Sequence, residues 1–310
     1  MSPVRLSFFG PPCIEWDGNK REKLEPLPVG ILAYLAVERH EHRRDDVANL
    51  FWPDAKDPRG TFRRQLPGLK KLIGKSRLLS NSGAIGLNFD SDIWIDVNRF
   101  SDLLTECKTH AHSEDDACPN CLDLLLEAEK LSSRGSFLRG HKLRNSTSEF
   151  ERWYDDFARE LNDQRHNVSE RLVRYYLKDG SLKSAQEYAK RWKEVDGLDE
   201  TVYRYRMWIY AQQGQRVRAL NEYETFVRIF DGEEKFLSTE IKVLRDAIKN
   251  NQIPSLDEFL GSETKIKNGD QTCLDIPAVT SPDKTRRTDR QTLRASIPSS
   301  TQATPRTHRP

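Results

Sequence analysis

Four positions in the second half of the chain recur at one interval. Tyr176, Gly180, Ala185 and Ala189 return 34 residues later as Tyr210, Gly214, Ala219 and Tyr223, the period of tetratricopeptide helix pairs. In such a unit the glycine turns the chain between two helices, and the small alanine lets them pack closely. Neither pair can bury its apolar face alone, so the units stack into a scaffold or contact surface rather than a reaction vessel. The flanking text agrees. From about Asp116 onward, "CPNCLDLLLEAEKLSS", "SEFERWYDDFARELNDQRHNVSERLVRYYLKDG" and several shorter stretches read as almost uninterrupted helix.

The N-terminal part follows another pattern. "VRLSFFGPPCIEWDGNK" alternates apolar and polar residues around Gly-Pro and Asp-Gly turn signals, which predicts two or three short strands. "LPVGILAYLAVER" places Ile31, Leu32, Leu35 and Ala36 at helical spacing, and "RRDDVANLFWP" is a short second helix closed by Pro53, with Trp52 as a core aromatic. A third helix follows Pro58. Its Phe62, Leu66, Leu69 and Ile73 form one inward apolar stripe, leaving Arg64 and Lys71 facing out. "RLLSNSGAIGLNF" predicts a hairpin about an Asn-Ser-Gly turn. Strands, three helices and a terminal hairpin outline a winged helix.

The expected architecture is therefore an α+β winged helix over residues 1–104, an all-α tetratricopeptide-like repeat domain over 105–253, and a tail over 254–310. The tail is rich in Ser, Thr, Pro and Arg and has little to bury, so disorder is expected there. The longest apolar run, Val29 to Val37, is far shorter than the roughly 20 residues a membrane span needs. No charged-then-apolar secretory pattern opens the chain. A cytoplasmic protein without membrane contact is expected. Five irregularly spaced cysteines argue for reduced thiols rather than a disulfide framework, and the Asn145 and Asn167 glycosylation matches then carry no meaning.

The charge distribution is more informative than the net charge of +2. Between Pro58 and Phe89 there is no acidic residue, while Arg59, Arg63, Arg64, Lys70, Lys71, Lys75 and Arg77 all lie there. A helix can bind DNA when one face packs on its domain and the other offers Arg and Lys to phosphates and base edges. Within this segment Pro67-Gly68 falls on the outward face. A helix-interior proline costs about 3 kcal/mol, and a kink there would divide the surface into an Arg63/Arg64 half and a Lys70/Lys71 half.

"VRLSFFG", "ILAYLAVER", "LFWPDAKDPRGTFRRQLPGLKKLIG", "IWIDVNRFSDLL", "CPNCLDLLLEAEKL", "GSFLRG" and "SEFERWYDDFARELNDQ", in this order, resemble the bacterial transcriptional activator family. That family joins an OmpR-type winged helix to a tetratricopeptide-like activator domain, as in the Streptomyces antibiotic regulatory proteins. The resemblance runs from about Val4 to Asn250. It implies a sequence-specific transcriptional regulator, an activator rather than an enzyme. Its third helix would enter the major groove of double-stranded DNA, its hairpin would touch the adjacent backbone, and RNA polymerase or a second copy of the chain would be the protein partner. On this reading Arg59, Arg63, Arg64, Lys70 and Lys71 serve the recognition helix, with Arg64 the candidate for a base contact. Lys75 and Arg77 neutralise phosphates. The family usually has ordinary helix formers where this chain has Pro67. The competing reading is an interaction scaffold with a degenerate winged helix that no longer binds DNA.

Other motifs carry less. Gly68 and Gly74-Lys75-Ser76 resemble a Walker A loop, but five residues intervene where the motif has four, and the segment ends a helix. Trp52-Pro53-Asp54 matches a phosphatase loop without the nucleophilic cysteine motif that such an enzyme requires. Cys118 and Cys121, with His110 and His112 upstream, are soft or borderline ligands that could surround zinc. Yet the cysteines open a helix whose Leu122, Leu125 and Leu126 are core, so buried or incidental thiols are the default reading. No cofactor is expected.

Overall fold

The computed structural model describes residues 3–113, 115–141 and 147–261. The chain opens with β1 (Val4–Ser7), β2 (Cys13–Trp16) and β3 (Asn19–Arg21), the short strands expected from the turn signals. Then come α1 (Pro26–Glu38), β4 (His42–Arg43), α2 (Arg44–Phe51), α3 (Pro58–Ile73), β5 (Leu78–Ser80), β6 (Ala84–Leu87) and β7 (Ile93–Ile95). One sheet has the order β3-β2-β1-β7, with β7 parallel to β1, and a second has the order β4-β6-β5. The β5–β6 turn is the Asn-Ser-Gly site: Asn81 Oδ1 accepts from Gly83 N at 2.9 Å and Ala84 N at 2.7 Å.

α3 begins where Asp57 accepts the Gly60 amide at 2.8 Å and Pro58 occupies the first turn, the position that does not need a donor. It ends at Gly74, whose φ of 89° lies in the left-handed region. The helix is continuous through Pro67. Phe62, Leu66, Leu69 and Ile73 are buried, and Trp52, half-buried at the end of α2, lies 6.1 Å from the Phe62 ring.

After β7 the chain is helical: α4 (Asp96–Cys107), α5 (Pro119–Ser132), α6 (Ser148–Lys178), α7 (Leu182–Val195), α8 (Glu200–Gln212), α9 (Arg216–Ile229) and α10 (Thr239–Lys249). Asp96 joins the sheet to this region. Its buried carboxylate accepts from the amides of Phe8 at 2.7 Å, Phe9 at 3.0 Å and Val97 at 2.8 Å. No helix among the described residues is long and apolar enough to cross a membrane.

The expected boundary at residue 104 does not mark the end of a core. It falls inside α4, and one apolar cluster runs from Val4 through α4 and α5 to Leu172 in α6. The Phe150 ring of α6 lies 4.8 Å from that of Phe51, tilted by 44°, and Trp153 Nε1 donates to Glu38 at 2.7 Å. The long α6 carries its second half into another cluster, which runs from Val173 to Leu260.

The 34-residue recurrence marks equivalent turns. Gly180 (φ 77°) and Gly214 (φ 72°) each follow a helix end. Ser181 N donates to Tyr176 O and Gln215 N donates to Tyr210 O, both at 2.8 Å, the bond that closes a helix on a left-handed residue. A third turn repeats the pattern: Asn251 (φ 57°) follows α10, and Gln252 N donates to Ala247 O at 2.8 Å. The start of the expected tail is corrected accordingly. Residues 256–261 are helical, and Phe259, buried, stacks on Trp208 at 5.3 Å. Residues 262–310, where disorder is expected from composition, lie outside the described residues.

Candidate nucleic-acid interface

Burial of the α3 stripe decides what the helix shows to solvent. Arg63, Arg64, Pro67, Gly68 and Lys71 are exposed, and Lys70 is half-buried at the edge of the stripe. Arg64 donates to Thr61 Oγ1 at 2.8 Å within the helix, a contact that leaves most of its guanidinium donors free. Lys75, exposed, lies on the short turn after Gly74. Among the described residues, Arg63, Arg64, Lys70, Lys71 and Lys75 form no salt bridge, so their charge is not neutralised locally.

Arg59 is differently placed. It donates to the Ser82 carbonyl at 2.9 Å and pairs with Asp45 at 3.3 Å, tying the start of α3 to the β5–β6 turn and to α2. Its side chain remains 59% exposed, so it can still reach a ligand. An open groove of about 370 Å³ lies here, lined by Arg44, Asp57, Arg59, Gly60, Phe62, Arg63 and Ser82. Sequence reasoning missed Arg44. Arg43-Arg44 is visible in "HRRDD", but the two aspartates that follow mask it, and nothing local places it beside α3.

Arg77 is a correction. The phosphate contact expected of it does not fit its position, because it is only 3% exposed. Its guanidinium donates to both Asp92 oxygens and to the Ile73 carbonyl at 3.0 Å, and it lies 5.0 Å over the Trp16 ring. A buried arginine with every face occupied holds structure rather than DNA.

His110, His112, Cys118 and Cys121 do come together, and Cys121 is buried. Their donor atoms lie within 4.8 Å of one another in the connection between α4 and α5.

A model of the bacterial transcriptional activator domain matches residues 95–249, half of the chain. The protein belongs to this family. The match begins one residue before Asp96, the sheet-to-helix tie, and ends with α10, and the family is the one the sequence resembles. Its members are transcriptional regulators, not enzymes. Mycobacterium tuberculosis EmbR, in a structure with a low-affinity phosphopeptide, is similar over 86% of this chain and 72% of its own, with a TM-score of 0.60 at 15% identity. At that identity the likeness concerns the fold alone. A search of curated proteins returned no match.

Proposed function

We propose that this family member is a sequence-specific DNA-binding regulator whose N-terminal part is a winged helix and whose α3 is the recognition helix. The carrying observation is the outward face of α3, where Arg63, Arg64 and Lys71 are exposed beside a flanking hairpin in a segment without acids. Arg64, central on that face, contacts a base edge, since a guanidinium bonds guanine O6 and N7 in pairs. Arg59, Arg63, Lys70, Lys71 and Lys75 bind phosphates and set register. The β5–β6 turn, joined to α3 through Arg59, lies against the neighbouring backbone. Arg44 extends the same groove. Pro67-Gly68 divides the helix surface into its Arg63/Arg64 and Lys70/Lys71 halves. The helix pairs with the recurring turns act as tetratricopeptide-like contact units for RNA polymerase or a second copy of the chain, and the protein works in the cytoplasm.

Selection of bound duplexes from a random pool tests activity and returns the operator. Binding of the selected duplex then weakens with salt, with a log-log slope of about −0.9 per neutralised phosphate. Arg64→Ala with Lys71→Ala reduces both affinity and slope. No affinity for the pool at low salt, or an unchanged double variant, rejects this reading of α3 and leaves an interaction scaffold without DNA binding.

A further inference from the structure

The connection between α4 and α5 contains little that could hold it by burial. Between Lys108 and Ala117 its residues are polar or small, yet it brings four soft or borderline donors to one point. We infer that His110 Nδ1, His112 Nε2, Cys118 Sγ and Cys121 Sγ form a structural site for a zinc ion.

His110 Nδ1 lies 2.8 Å from Cys121 Sγ and 3.5 Å from Cys118 Sγ, and His112 Nε2 lies 3.0 Å from Cys121 Sγ. A tetrahedral zinc with ordinary Zn–S and Zn–N bonds requires nitrogen-to-sulfur edges of about 3.5 Å. The set is therefore near the required size and slightly contracted, so small rotamer shifts admit the ion. His112 Nδ1 donates to the Ser113 carbonyl at 2.8 Å, which fixes the neutral tautomer and turns the Nε2 lone pair toward Cys121. His110 presents a ring nitrogen to the same sulfur. A cation at their centre meets both imidazoles and both sulfurs at once. On binding, each cysteine gives its proton to solvent and coordinates as thiolate, with no change of oxidation state.

The local fold supports a ligand role. Cys118 is the residue before α5, Pro119 starts the helix, and Cys121 N donates to Cys118 O at 3.0 Å, so the Cys-x-x-Cys pair is set on one helical turn. Just downstream of the histidines, Asp116 is fixed to α6: Arg171 donates to its carbonyl at 2.9 Å, and Arg174 and Lys178 reach its carboxylate at 3.3 and 2.7 Å. The ion thus clamps the end of α4 and the start of α5 beside the part of α6 where the two apolar clusters meet. With four protein donors there is no open coordination position, which makes the site structural rather than catalytic.

Full-length protein purified without chelator is expected to carry about one zinc per chain. After the zinc is stripped, added Co²⁺ should give tetrahedral ligand-field bands with a thiolate-to-cobalt charge-transfer band. Cys118→Ser and His112→Gln, at half-buried positions, should lose stoichiometric zinc and melt at lower temperature, while Cys273→Ser keeps both. Metal-free protein whose Co²⁺ spectrum is octahedral or lacks charge transfer overturns the site, as does full zinc content in both ligand variants. Should either variant fail to fold, the spectrum of the unsubstituted protein decides. A Cys118–Cys121 disulfide in freshly purified, unoxidised protein also overturns it.

Discussion

Arg77 and Asp92 meet through two parallel hydrogen bonds, Nε to Oδ1 at 2.9 Å and Nη2 to Oδ2 at 2.6 Å. With the Ile73 carbonyl accepting from Nη1 and Trp16 beneath the guanidinium, this pair closes the end of α3 onto β2 and onto the approach to β7. The acid-free segment therefore contains one cation that faces inward.

Substitution separates this inward cation from its outward neighbours. Arg77→Ala should lower unfolding free energy by about 2–3 kcal/mol, from lost stem burial and an orphaned Ile73 carbonyl. Arg64→Ala, on the exposed face, should change it by less than about 0.5 kcal/mol. Urea unfolding of both variants is the check. Equal midpoints for the two would remove the structural role of Arg77.

The Pro67-Gly68 pair should cost stability without touching the core. Proline has no amide to donate to the Arg63 carbonyl one turn back, and a methyl group at Gly68 would meet nothing within 4 Å. Pro67→Ala with Gly68→Ala is expected to raise unfolding free energy by about 2–4 kcal/mol. A midpoint that stays put or falls would show that the helix accommodates the pair without penalty. Comparing duplex selection by the same variant with that of the natural sequence reports how the pair shapes DNA reading.

His166 is expected to make the helical half sensitive to pH. Its burial opposes protonation, but Asp196 at 2.9 Å and Asp199 at 3.8 Å outweigh that effect and the nearby Arg165, so its pKa is raised. A raised folded-state pKa contributes stability that is complete below the ordinary histidine value of about 6.5 and lost as pH rises through the folded value. Urea midpoints should therefore fall as pH rises from about 6.5 through the raised folded value, and His166→Asn should flatten that fall. An equal slope in the variant assigns the dependence elsewhere.

Several features were legible because they are local. The apolar stripe of α3 is a spacing of four, three and four along one helix, and all four of its side chains are buried. The glycines at 180 and 214 take the left-handed conformation that side-chain-bearing residues avoid, so their recurrence marked the turns. The third turn escaped notice because Asn251, which tolerates the same conformation, replaces glycine, and because it follows Gly214 by 37 residues rather than 34. Phe259 then looked like part of a polar tail, since its partner Trp208 is 51 positions away.

By itself the sequence determined the apolar stripe of α3, the two turns marked by Gly180 and Gly214, and which family the chain resembles. All of these follow from interactions within a few residues. Only the tertiary structure decided that Arg77 is held by Asp92, that Arg44 and Arg59 share a groove with the hairpin turn, that one core continues past residue 104, and that two histidines and two cysteines share a centre. The physical reason is that a side chain's charge or donor set is known from its type, whereas its partner depends on how loops and distant elements pack.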